Sequence, residues 1–70
     1  MPKINEITVR DSKNSIIGWC RDYGDRVNAI HFRKGLVGFY IKASNITFDG
    51  SGKIYCFGDG TTSLVRDNER

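Results

Sequence analysis

Ile46–Phe57, ITFDGSGKIYCF, sets two apolar runs around a glycine-rich centre. That centre admits a phosphate-cradling loop, a metal loop or a tight turn between two strands. The flanks favour the turn. Ile46-Thr47-Phe48 alternates apolar, polar and apolar with β-branched and aromatic residues, which is a strand pattern. Ile54-Tyr55-Cys56-Phe57 is a second apolar run of strand type. Between them, Asp49-Gly50 and Ser51-Gly52 tolerate the positive φ that hairpin turns need. A phosphate loop would require G-x-x-x-x-G-K-[ST] opening a helix, so that backbone N–H groups converge on the anion. Lys53 instead leads into strand-like residues. A calcium loop would place Asp49, Ser51 and Lys53 at its first, third and fifth positions. Lysine there puts a cation where an oxygen ligand is needed, and no glutamate follows at the twelfth. A looser pair, Asp49 and Asp59, would hold a surface ion only weakly.

The same organisation occurs twice upstream. Ile7-Thr8-Val9 runs through RDSKNS into IIGWC, and Ile30-His31-Phe32 runs through RKG into LVGFY. Aligned on these triplets, the three units start 23 and 16 residues apart. Gly18, Gly38 and Cys56 precede Trp19, Phe39 and Phe57. A recurring glycine inside a strand points to a bulge or to close approach of another segment. The three aromatics belong on one face or around one axis. His31, between Ile30 and Phe32, is expected on the opposite side of its strand from them, off the core. Ser63–Asn68, SLVRDN, echoes TVRDSKN near the start and is expected to add a strand that protects an edge. No sustained amphipathic helix is visible. Arg21–Ile30 is interrupted by Gly24, which disfavours a helix by about 1 kcal/mol relative to alanine, and reads as a loop. The expected fold is all-β: three short hairpins plus a terminal strand in a small sheet, flower-like or barrel-like, as a single domain over 1–70.

Within Leu36–Val65, Gly38-Phe39, Thr47-Phe48-Asp49, Gly52-Lys53, Gly58 and Leu64 carry a likeness to a known group. The stretch resembles small bacterial four-fold β-flower proteins, built from short G-x-[YF] … [YF]-D-x-x-G-K units. The N-terminal half, with CRDYGDRVNA, departs from that pattern. The resemblance implies a petal-like all-β fold and no particular activity.

Seventy residues form one domain with a thin core, because a chain this short buries only about 60% of the surface it exposes when unfolded. Apolar content of 39% with 27% charged residues is that of a folded chain rather than a disordered one. The net charge of +3 has its signs interspersed, which favours a solvated surface over a dedicated polyanion site. No apolar run approaches the about 20 residues of a spanning helix, so no membrane association is expected. The opening MPKINEITVR has no apolar signal core, which points to a cytoplasmic protein. In that compartment Cys20 and Cys56 read as small buried hydrophobes before they read as a disulfide.

Catalytic and metal sites are poorly supported. Zinc needs about four Cys or His ligands, and the chain offers Cys20, His31 and Cys56 without a C-x-x-C pair. A Cys–His nucleophile would need one of these thiols beside His31, in a fold with no obvious cleft. No enzyme activity and no cofactor are therefore expected. Arg33–Ile41, RKGLVGFYI, approaches the base-stacking motif of RNA-binding sheets, but Leu36 stands at the first aromatic place and Val37 displaces the glycine. The candidate binding surface is Arg33, Lys34, Tyr40, Lys42, Lys53 and Tyr55, with Tyr23 nearby, where cations and aromatics would form a platform. The leading expectation is a small binding protein working through protein–protein contacts, of the kind phages and mobile elements use against host or defence proteins. A weak single-stranded nucleic-acid binder is the alternative, and a structural homo-oligomer the third. Trp19, Phe39 and Phe57 are too large to stand bare on one face, so a homodimer covering that face or an adjacent open edge is expected.

Overall fold

The computed structural model describes residues 5–69, so the first four residues of the segment read for a signal lie outside it. Six strands, β1 (Asn5–Arg10), β2 (Ile16–Asp22), β3 (Arg26–His31), β4 (Gly35–Ile41), β5 (Ile46–Asp49) and β6 (Ile54–Phe57), precede one helix, α1 (Thr61–Asp67). The strands pair antiparallel in chain order, as one sheet. β1 pairs only with β2 and β6 only with β5, so the sheet is open and not closed into a barrel.

The three hairpins β1–β2, β3–β4 and β5–β6 each carry one register shift at an equivalent place. Val9 faces Gly18 while Arg10 faces Ile16, leaving Ile17 extra. Ala29 faces Gly38 while Ile30 faces Leu36, leaving Val37 extra. Thr47 faces Cys56 while Phe48 faces Ile54, leaving Tyr55 extra. Such bulges bend a strand and turn an additional side chain toward the packed face. Equivalent residues are thus 20 and 18 apart in both strands of each hairpin (Val9, Ala29, Thr47; Gly18, Gly38, Cys56), and the triplet alignment of 23 and 16 is out of register. The position held by Asp11 and Asp49 is held in the central hairpin by His31. That residue opens the turn rather than sitting mid-strand.

This register overturns the expected placement of His31. Val27, Ala29 and His31 point to the packed face and are buried, whereas Ile30 points to the other. His31 is 1% exposed. Neighbours in a strand do alternate, but it is Ile30 that faces away from the helix, and Phe32, past the strand end, is 49% exposed.

Two further expectations are corrected. Ser63–Asn68 is not a strand; α1 runs through it and packs across β1 to β4. Thr61, Leu64 and Val65, spaced i, i+3 and i+4, form its buried stripe. Seven residues are too few for a helix to persist by itself, so packing on the sheet is what holds it. Asp59 Oδ1 accepts from the Thr61 backbone N–H at 3.1 Å and from its hydroxyl at 2.6 Å, serving the helix start where Gly60 has no side chain. Nor is Arg21–Ile30 a loop. It is strand on both sides of a short turn in which Gly24 takes φ +100 and donates its N–H to Asp22 Oδ1.

The core lies between α1 and the sheet: Val9, Ile17, Cys20, Val27, Ala29, Val37, Leu64 and Val65, with Tyr40 and Tyr55 against it. Gly18 and Gly38 explain how the helix comes so close. A Cβ on Gly18 would meet the Ile30 carbonyl and, at 2.7 Å, Val65 Cγ1; on Gly38 it would meet Phe48 O and Leu64 Cδ2. Cys20 and Cys56 are both free thiols.

Candidate binding face

The face turned away from α1 carries apolar side chains on five strands, with Arg26 and Asn28 of β3 among them. Paired residues of an antiparallel sheet point to the same side, so the register assigns it. Trp19 faces Ile30, and Ile30 faces Leu36. Phe39 faces Phe48, which in turn faces Ile54; Ile41 faces Ile46, which faces Phe57. The Phe39 and Phe48 rings lie 5.5 Å apart between centroids. Leu36 is 56% and Phe57 78% exposed, and Ile16 and Ile54 are exposed beside them. Trp19, Phe39 and Phe57 therefore share one face. Five strands at about 4.8 Å spacing carry on the order of 600–800 Å² of accessible surface once side chains stand on them. The largest apolar patch of a typical monomer is about 300–600 Å².

Polar groups lie beside the patch, on the β1 side. Glu6, Thr8, Arg10 and Arg21 occupy the same face there, and Arg21 Nε is 2.6 Å from Glu6 Oε2. This hydrogen bond to Glu6 holds the guanidinium above its ordinary pKa.

The six residues of the sequence-derived surface do not form one platform. Chain direction puts the turns after β1, β3 and β5 at one end of the sheet, and those after β2 and β4 at the other. Arg33, Lys34, Lys53 and Tyr55 belong to the first end, Tyr40 and Lys42 to the second. Both tyrosines pack on the helix side: Tyr55 donates to Asp67 of α1, and Tyr40 donates to Asn45 Oδ1 at 2.8 Å. Lys42 Nζ lies 2.9 Å from Asp22 Oδ2. The Gly24 amide, followed by Lys42, holds the Asp22 carboxyl below its usual range. Arg33 pairs with Glu69 and lies over the Phe32 ring at 5.0 Å. Among the described residues, Lys34 and Lys53 make no ion pair. Lys34 and Tyr55 line a shallow groove of about 530 Å³ beside α1, together with Asp49 and Leu64.

The turn that opened the question is built by Asp49. Its Oδ1 accepts from the Ser51 N–H at 2.9 Å, the Ser51 hydroxyl at 2.6 Å and the Lys53 N–H at 3.0 Å, with Gly52 at φ +88. The Ser51 hydroxyl, then the Lys53 amide, lower the Asp49 pKa. Asp11 does the same for Lys13 and Ser15, with Asn14 at φ +66. In the central hairpin, His31 Nδ1 takes the carboxylate's place, accepting from Arg33 N at 3.2 Å and Lys34 N at 3.4 Å. The ring proton then sits on Nε2, which faces Glu69 Oε2 across 3.6 Å. The carboxylates of Asp11 and Asp49 are thus engaged by their own turns. Among the described residues no three of His, Cys, Asp and Glu gather as a metal set, and no helix is long and apolar enough to cross a membrane.

No family model, curated protein or solved structure matches the chain.

Proposed function

We propose that this chain is a non-catalytic protein-binding module whose working surface is the open face of the sheet. The observation that supports it is the apolar field from Trp19 to Phe57, centred on β4, with polar residues on β1 and at Arg26 and Asn28 of β3. An apolar centre with a polar margin is the anatomy of a protein interface. Aromatic side chains there are the usual carriers of binding energy.

Single-stranded nucleic acid has one observation in its favour, the Arg33 guanidinium over Phe32. The cations argue against it. Arg21, Arg33 and Lys42 are each already paired with a carboxylate, and, among the described residues, the cations left without an ion pair do not gather: Arg26 stands at one end of the sheet, Lys34 and Lys53 in turns at the other. A phosphate backbone needs cations to displace its counterions.

A photo-crosslinking residue at Leu36 tests the proposal in cells. It should trap discrete protein adducts that the same probe at Arg66, on the exposed side of α1, does not. Equal trapping at both positions would refute the open face as the working surface.

A further inference from the structure

We infer that the occupant of the open face is a second copy of this chain, seated face to face so that two sheets form a β-sandwich with the helices outside. The inference rests on the open face being a binding surface and names its partner.

Area is the first argument. The exposed field of on the order of 600–800 Å² matches the ~800 Å² that each partner of a standard interface buries. The molecule is a plate, 34 × 30 × 17 Å. Its third dimension holds only the sheet and the helix layer. Two antiparallel sheets stacked about 10 Å apart, their strands about 30° from alignment, are a standard way to cover such faces.

Electrostatics is the second. In a two-fold contact every patch meets its own copy, so an unpaired charge near the axis would meet its like. Here the strands nearest the middle, β3 to β5, present Ile30, Leu36, Phe39, Ile41, Ile46 and Phe48, with the uncharged Asn28 facing Phe39; Arg26, which makes no ion pair among the described residues, stands at the rim, where β3 begins and β4 ends. Arg21, further out, is already paired with Glu6. Self-contact about an axis through the middle of β4 therefore sets apolar side chains against each other and leaves Arg26 at the margin.

The geometry distinguishes this arrangement from edge pairing through β6. Leu36 lies on β4, an interior strand whose backbone is paired on both sides. It touches a second copy only if the faces meet. The experiment is sedimentation equilibrium of the full chain across micromolar concentrations, for the parent and for Leu36→Glu, Phe57→Glu and Arg66→Glu. The parent should show twice the 7.9 kDa chain mass. Leu36→Glu and Phe57→Glu should each weaken the dimer by about a hundredfold with an unchanged far-ultraviolet circular dichroism spectrum. Arg66→Glu should stay dimeric. Both open-face side chains are largely exposed within one chain, so the variants should fold; if one does not, the other decides. A parent that stays monomeric overturns the inference, as does a dimer indifferent to Leu36→Glu. A monomeric parent that still gives Leu36-specific adducts with other proteins would refute the second copy and leave the binding face standing.

Discussion

The two faces of this sheet divide its side chains by size. The face under α1 carries Gly18, Gly38, Ala29, Cys20 and Thr47 where the helix lies closest, and the bulk there comes from the helix, from Val9, Val27, His31 and Tyr40, and from the bulged Ile17, Val37 and Tyr55. The other carries Trp19, Phe39, Phe48, Phe57 and most of the isoleucines. A helix of two turns covers only what it can approach closely, so glycines lie directly beneath it, while Ile7 at the β1 edge stays 64% exposed. The larger apolar volume lies where the chain itself supplies no cover. The difference separates folding, which depends on the first face, from association, which we assign to the second.

The largest effect should come from adding one carbon to the covered face. In Gly18→Ala and Gly38→Ala the new methyl meets backbone carbonyls, of Ile30 and Phe48, which no rotamer change relieves. Each should destabilise the fold by about 3 kcal/mol or more, as overpacking at the upper end of its range does. On the other face, Phe57→Ser removes a far larger side chain that is mostly exposed, and should change monomer stability by less than about 1 kcal/mol. Urea denaturation of the three variants measures both, the last against a monomeric parent background. Equal losses on the two faces would break the division.

His31 gives the next effect. It is buried on the covered face, and its Nδ1 is the acceptor for two turn amides. His31→Ala leaves those amides without their partner and opens a void beside Glu69, a loss of about 2–4 kcal/mol. His31→Asn keeps a short acceptor of the kind Asp11 and Asp49 provide, and should recover part of it. Thermal unfolding monitored by circular dichroism measures the gap. An alanine variant no less stable than the asparagine variant would deny the turn its acceptor.

His31 also marks where the sequence stops being legible. The all-β class, the hairpin at Asp49–Lys53 and the glycine approach before Trp19 and Phe39 could be read from alternation and turn chemistry. The shared side of Trp19, Phe39 and Phe57 could be read as well, because each follows the bulge by two residues. The central register was misread because Ile30-His31-Phe32 imitates Ile7-Thr8-Val9, while the true match to Asp11 is a histidine, not a carboxylate. Turn length held the information: six residues separate Asp11 from Ile17, His31 from Val37 and Asp49 from Tyr55. The helix was hidden by its shortness and by Thr61-Thr62-Ser63, which are weak helix formers. The candidate platform does not form because Tyr40 and Tyr55 pack against the core instead of standing exposed. Tyr55 is a bulge residue, turned to the covered face.

The smallest effect tests how α1 is held on its face. Tyr55 of β6 donates its phenol proton to Asp67 in the last turn of the helix. That hydrogen bond, followed by burial, raises the Tyr55 pKa from 10.0 to about 12. The protonated phenol is the form that ties sheet to helix, and folding strengthens its hold on the proton. Its contribution is therefore complete below pH 10 and declines as pH rises from there through about 12. Tyr55→Phe lacks the bond at every pH. The parent should be slightly more stable than Tyr55→Phe at pH 8, and the two melting temperatures should converge toward pH 12. Ultraviolet titration should show one phenol ionising near pH 12, absent from Tyr55→Phe. A parent and a Tyr55→Phe variant that melt alike at every pH would mean the apolar stripe of Leu64 and Val65 holds the helix without this bond.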